Sequence, residues 1–274
     1  HLAKKHYDIE ASAENLVSER DQNFLLRTTD GRKFVLKIAN SEEDPIVTDF
    51  QICALIHINK INDNRISVPE IKFSRGNRKS IVLTKEKKSF VTRVVTYLDG
   101  EPLFTSKKSI PDIGIAEGMG RYLAILGKSL SDFNHSGSGQ NLLWDMKRAL
   151  SIREITGHID SSSARIMVER ALTDFERYAL PKFDSIRWQV IHNDMNPDNV
   201  LIDISEKRKV CGMIDFGDMV YSPLIIDLAV AAAYLDTDEG NPMLLMNHFI
   251  AGYNQETPIL QEELEILFDL IKTR

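Results

Sequence analysis

Apolar and polar positions alternate along the first third of the chain, and the period then lengthens. FLLRTTDGRKFVLKIAN (24–40) holds two apolar runs around a Thr-Asp-Gly turn, the pattern of a β-hairpin. In its second run Phe34, Leu36 and Ile38 alternate with Val35 and Lys37, which places Val35 and Lys37 together on the opposite face. Asp44-Pro45 predicts a helix start, an N-cap followed by proline in the first turn. Val47, Phe50, Ala54 and Ile58 give that helix its apolar stripe. VPEIKFS, SIVLT and SFVTRVVTYL predict further strands, separated by the polar turns SRGNRK and KEKK.

The change comes at DGEP (99–102). Ile115, Met119, Tyr122, Leu126, Leu130 and Phe133 follow helical spacing, and HSGSGQ (135–140) interrupts it. Val168, Leu172, Phe175 and Ala179 mark a second helix, stopped by Pro181. Two strand-like pieces, WQVIHND and VCGMIDF, follow and are expected as a strand pair. Helices are predicted over 224–235, 242–253 and 259–272. The pattern is α+β: a β-rich lobe over 1–95, a connector over 96–99, and a mostly helical lobe over 100–274. The last predicted helix reaches Arg274 without a breaker and the chain opens on His1, so a continuation beyond Arg274 is expected.

Composition narrows the partners. With 34 Lys and Arg against 40 Asp and Glu the formal charge is −6. That balance disfavours a broad nucleic-acid footprint and suits a cationic small molecule. The longest apolar run, near 224–235, contains Asp227 and is too short to span a bilayer. Two cysteines, Cys53 and Cys211, support neither a zinc cluster nor a disulfide framework, and the expected setting is reducing and cytoplasmic.

The chemistry concentrates in IHNDMNPDNVLID (191–203) and MIDFGD (213–218). Asp194, Asn199 and Asp215 are hard oxygen donors of the kind Mg²⁺ prefers. Asp194, two residues after His192 with no basic neighbour in sequence, can accept a proton from a substrate hydroxyl. A calcium loop starting at Asp194 is the competing reading. It fails because its sixth position is Asn199 instead of Gly and its twelfth is Ser205 instead of Glu.

HxDxxxxN followed by DFG resembles the catalytic signature of the protein-kinase-like superfamily. HNDMNPDN is similar to the aminoglycoside phosphotransferase and choline kinase branch. SERDQNFLL and IDFGDMVYSPLIIDLAVAAAYL are similar to its hydroxylysine kinase-like group. The resemblance covers nearly the whole chain and implies a bilobal kinase-like fold with the active site in the cleft between the lobes. It implies transfer of a γ-phosphoryl group from ATP or GTP, with Mg²⁺, to a small-molecule hydroxyl, such as that of an amino-alcohol or hydroxy-amino acid. Asp194 matches the catalytic base, and His192 the motif histidine that supports the loop. Asn199 and Asp215 match the metal pair. Lys37 matches the strand lysine that pairs with the nucleotide phosphates, with Val35 against adenine. Thr96, Tyr97 and Leu98 match the connector whose backbone meets the adenine edge. Asp227 matches the aspartate that braces the catalytic loop.

Two departures stand out. No GxGxxG loop is present, so SERDQNF, including Asn23, is expected to cover the phosphates. The helix glutamate expected to pair with Lys37 is replaced by Gln51, with Asp49 or Glu43 as alternatives. Asp218, Asp145 and Tyr221 are candidate acceptor contacts; Asp218 reads equally as a turn residue and Asp145 as a helix cap. Arg93, Arg121 and Arg153 are candidates for a substrate carboxylate. A silent kinase fold that binds without turnover, and kinases of an aminoglycoside, choline, homoserine or protein, are the competing functions. The short interval between DFG and SPLIIDLA counts against a protein acceptor.

Overall fold

The computed structural model describes residues 1–18, 20–103, 112–205, 209–235, 241 and 243–274. The chain divides into two units, residues 1–99 with 135–137, and residues 100–134 with 138–274. Glu19 in the SERDQNF segment, and Pro242 at the predicted start of the penultimate helix, lie outside the described residues.

In the first unit an antiparallel sheet runs β1(Ala11–Leu16), β2(Gln22–Thr28), β3(Lys33–Ile38), β6(Lys88–Thr96), β4(Ile71–Lys72), with β5(Ile81–Lys85) also on β6. The predicted hairpin is β2–β3, in register Leu25↔Val35 and Asn23↔Lys37, and Gly31 at its turn has φ 85°. KEKK is the β5–β6 turn, with Glu86 and Lys87 both at positive φ. Helix α2(Pro45–Ile61) starts as expected, the Asp44 carboxylate accepting from the Ile46 N–H. Helix α1(Leu2–Tyr7) was not anticipated, because six residues with no side-chain cap give little local signal. It is held by docking: Ala3 and Tyr7 pack on Leu26, Phe34, Leu36, Ile81 and Val94, and the Tyr7 hydroxyl donates to the Thr92 carbonyl at 3.1 Å.

The second unit holds helices α3(Ile113–Ser129), α4(Ser162–Asp174), α5(Leu224–Ala232), α6(Leu244–Glu256) and α7(Gln261–Thr273). Helices α3 and α6 approach so closely that a Cβ on Gly120 would lie 1.9 Å from the Phe249 carbonyl oxygen, and one on Gly252 would lie 2.2 Å from that of Glu117. Backbone packed on backbone at this distance admits only glycine. Beyond α4 a π turn (Phe175–Ala179) and a 3₁₀ turn (Leu180–Ser185) carry the chain past Pro181.

The expected strand pair is corrected. WQVIHND contributes β8(Trp188–Ile191) and VCGMIDF contributes β10(Lys209–Met213), but they do not pair with each other. Strand β8 pairs with β11(Val220–Pro223), and β10 with β9(Val200–Asp203), which also carries β7(Glu101–Pro102). This crossing positions the site. Ile191 faces Val220 and Val200 faces Met213, so segments 192–199 and 214–219 are pinned at both ends and lie side by side.

Candidate active site

Segment 192–199 is a turn built almost entirely from its own polar side chains. Asn193 takes a left-handed φ of 64°, a conformation asparagine tolerates better than most residues. The Asp227 carboxylate, on α5, accepts from the backbone N–H of Asn193 at 2.7 Å and of His192 at 3.2 Å. Asp227 is therefore the brace of this loop, as the sequence implied. Burial pushes its pKa up to about 6, against the lowering effect of those two N–H donors. His192 is fully buried, with its ring edge-on to Phe216 at 4.7 Å. Burial lowers its pKa to about 4, so the ring is neutral at neutral pH.

Asp194 is the group these contacts present. Asn196 Nδ2 donates to Asp194 Oδ1 at 3.0 Å. Asn199 Nδ2 donates to Asp194 Oδ2 at 2.8 Å and to the Asp194 carbonyl at 3.0 Å. Asn196 Oδ1 accepts in turn from the N–H groups of Asp198 and Asn199. Both carboxylate oxygens are thus oriented, while the side chain stays 17% exposed. Burial pushes the Asp194 pKa up to about 6; the charges of Asp218 and Asp215 add to the rise, and the Asn196 hydrogen bond and Arg274 oppose it.

Asp215 sits across from this turn. The Ile214 N–H donates to the Asn199 carbonyl at 3.0 Å, which links the two segments one residue before the DFG aspartate. Asp215 has φ 60°, a strained value for a non-glycine residue, and its Oδ1 accepts from the Gly217 N–H. With the Asn199 amide nitrogen engaged by Asp194, its Oδ1 is the atom left to meet a cation. Asn199 Oδ1 and the Asp215 carboxylate are hard oxygen donors beside Asp194 and Asp218, and this set fits a divalent ion such as Mg²⁺.

The three candidate acceptor contacts separate. Asp218 stays in the cluster, Oδ2 accepting from Trp144 Nε1 at 2.9 Å, while Gln140 Nε2 donates to the carbonyls of Gly217 and Met219. Asp145 is corrected: it is 2% exposed, caps a 3₁₀ segment (Met146–His158) through the Lys147 N–H, and pairs with the Lys147 ammonium. Its carboxylate is committed to that cap. Tyr221 lies on β11 with its ring 5.6 Å from that of Trp188, its carbonyl taking Lys147 Nζ. Gln140 and Arg274 had no motif to announce them, whereas Asn196 lies inside HNDMNPDN.

In the first unit, register aligns Asn23, Lys37 and Arg93 in one row across β2, β3 and β6, with Leu25, Val35 and Val95 in the apolar row two residues on. Gln51 is corrected as the partner of Lys37: its Oε1 accepts from the buried Arg93 Nη2 at 2.5 Å. The two alternatives are engaged elsewhere, Asp49 with Lys79 and His135, and Glu43 with the Thr48 hydroxyl. In the connector, the N–H of Thr96 donates to the Glu70 carbonyl and that of Tyr97 to the Lys33 carbonyl. Those two donors serve the sheet.

The family model described as the phosphotransferase enzyme family matches residues 13–262. The chain belongs to this family. It is 27% identical to the hydroxylysine kinase of Mus musculus and 28% to that of Bos taurus, each alignment covering 94% of this chain and 73% of the relative. Among solved structures it is similar to a microcompartment-associated aminopropanol kinase, with TM-score 0.76 and 18% identity over 100% of this chain and 85% of the other. It is equally similar to an amicoumacin kinase in complex with AMP-PNP and Ca²⁺, with TM-score 0.76 and 14% identity over 100% and 81%. At these identities the solved structures show the kinase-like α+β fold, in line with the sequence-based expectation. The family membership makes the chain a phosphotransferase acting on a small-molecule hydroxyl. Among the described residues no helix is long and apolar enough to cross a membrane.

Proposed function

We propose that this phosphotransferase moves the γ-phosphoryl group of ATP or GTP, with Mg²⁺, to the hydroxyl of an amino-alcohol or hydroxy-amino acid such as hydroxylysine, in the cytoplasm. The observation that carries this reading is the fixed Asp194 carboxylate. Both its oxygens are oriented by asparagine amides, its pKa stands near 6, and it is mostly ionised at neutral pH. Such a group accepts the acceptor hydroxyl's proton as the oxygen attacks phosphorus. Asn199 and Asp215 would hold the metal, which when bound neutralises charge on the phosphate oxygens. Lys37 meets the phosphates and Val35 the base. Asn23 stands beside Lys37 at the phosphate end, and Leu98 offers the adenine-edge donor. Asp218 is the remaining carboxylate for an acceptor ammonium. The hydroxylysine kinases of mouse and cattle support the acceptor class, and the AMP-PNP and Ca²⁺ bound to the amicoumacin kinase support a nucleotide with a divalent ion.

The test is nucleotide turnover with ATP and GTP across hydroxylysine, ethanolamine, choline, homoserine and an aminoglycoside. Phosphorylated hydroxylysine or another amino-alcohol is the expected product. Tight nucleotide binding with no acceptor phosphorylated would overturn the reading.

A further inference from the structure

A hydroxy-amino acid differs from an amino-alcohol by one carboxylate, and that carboxylate needs a cationic partner close to the reacting hydroxyl. The arginines expected from sequence are engaged elsewhere. Arg93 is buried against Gln51, Arg121 pairs with Glu117 one turn away on α3, and Arg153 pairs with Glu176. Arg274, which sequence patterning did not single out, stands instead beside the candidate base: its Nη2 lies 3.9 Å from Asp194 Oδ1.

The position of Arg274 is built by the second unit itself. Its backbone N–H closes α7 on the Leu270 carbonyl. Helix α7 is tied down by Glu263 to Arg187 and by Lys272 to Asp174. The guanidinium lies over the Tyr234 ring at 5.7 Å, and Nη2 donates to the Tyr234 hydroxyl at 2.9 Å. Tyr234 comes two residues after the end of α5, the helix whose Asp227 accepts from the turn that carries Asp194. The side chain is 16% exposed, and Arg274 also lines a cavity of about 620 Å³ with Met167, Ala171, Arg170, Asp174 and Lys272, a cavity that Asp194 does not line. It therefore borders open volume as well as Asp194.

At 3.9 Å the Arg274–Asp194 contact is a loose ion pair with no hydrogen bond, and one tyrosine bond leaves most of the five guanidinium donors for a ligand. With a hydrogen-bond reach of about 2.8 Å on each side, a carboxylate on Arg274 and a hydroxyl on Asp194 can stand up to about 9 Å apart. An extended hydroxylysine fits within that span.

We infer that Arg274 is the specificity-determining residue that receives the acceptor's carboxylate, selecting a hydroxy-amino acid over the amino-alcohol that lacks it. The inference rests on the acceptor class proposed above. An arginine here has one competing role, neutralising the transferred phosphoryl group, which would act alike on every acceptor.

The experiment compares kcat/KM for hydroxylysine and for its decarboxylated analogue, 1,5-diaminopentan-2-ol, in the wild type, Arg274→Met and Arg274→Lys. Arg274→Met is expected to lower kcat/KM for hydroxylysine about 30-fold, mainly through KM, as for loss of a charge-assisted bidentate contact. Measured on the alkaline plateau of the pH profile, turnover of the analogue should stay within about threefold, and Arg274→Lys should recover part of the hydroxylysine loss. Equal losses on both acceptors, or an unchanged ratio between them, would overturn the inference and leave the acceptor class standing. A wild type that uses the analogue but not hydroxylysine would do the same. A wild type that phosphorylates neither overturns the acceptor class, and this inference with it.

Discussion

The side-chain amide of Asn199 donates to Asp194 Oδ2 at 2.8 Å, so the residue proposed as a metal ligand also orients the proposed base. The two roles separate by mutation. Asp194→Asn keeps the size of the side chain, gives up one of its two amide hydrogen bonds and removes the proton acceptor; kcat should fall by about 10²–10⁴ while nucleotide affinity is retained. Asn199→Ala should lower kcat and also weaken Mg²⁺-dependent nucleotide binding. Nucleotide titrations with and without Mg²⁺ distinguish them. A loss of metal-dependent binding in Asp194→Asn equal to that in Asn199→Ala would contradict this division.

The Asp194 pKa near 6 sets an acid limit on turnover. A general base works ionised, so activity is present above that value and is lost as pH falls through it. Near pH 5 kcat/KM should be about tenfold below its plateau. Asp218 is a negative neighbour that raises the Asp194 pKa and Arg274 a positive one that lowers it. Asp218→Asn should therefore move the acid limb to lower pH, and Arg274→Met to higher pH. The check is a pH profile of kcat/KM for the three proteins. Limbs that coincide would show that the titrating group is not Asp194.

Asp227 supports the catalytic turn by accepting two buried N–H bonds. Asp227→Ala strands both donors, a cost of about 1–3 kcal/mol each, partly offset because a buried carboxylate is removed as well. A net destabilisation of about 2 kcal/mol is expected from urea unfolding, together with a fall in kcat as the turn loosens. Unchanged stability with unchanged kcat would remove the bracing role.

What was legible in the sequence was whatever depends on neighbours along the chain. The Thr-Asp-Gly hairpin, the Asp44-Pro45 helix start and the KEKK turn are set by local chemistry, and the 192–199 turn closes through asparagines within its own motif. Contacts made at long range were not legible. Strands β9 and β11 are four residues each, too short to show alternation, and they pair with β10 and β8 in two separate sheets, so that β8 and β10 never meet. Asp145 was readable as cap or ligand, and only burial beside Lys147 decides between them. Arg93 was readable as a candidate for a substrate carboxylate, and burial against Gln51 decides otherwise. Its place in the Lys37 row, and hence the partner of Gln51, follows from the register of three strands.

That row yields the last prediction. Arg93 is 3% exposed, beside Lys37 in register, and Gln51 Oε1 accepts from it at 2.5 Å. A buried guanidinium that loses an acceptor costs about 1–3 kcal/mol, and relief comes only by shifting toward other acceptors, which disturbs the strand row that carries Lys37. Gln51→Leu should thus lower thermal stability and weaken nucleotide binding several-fold. Gln51→Glu keeps an acceptor on Arg93 and makes the bond charge-assisted, so stability should be retained or raised. Its added negative charge also neutralises part of the row's positive field, so nucleotide affinity should fall modestly despite the intact fold. Thermal melts beside nucleotide titrations read the two effects separately. If Gln51→Leu matched the wild type in both, Arg93 would not depend on Gln51, and the neutral amide at this position would have no bearing on how Lys37 is held.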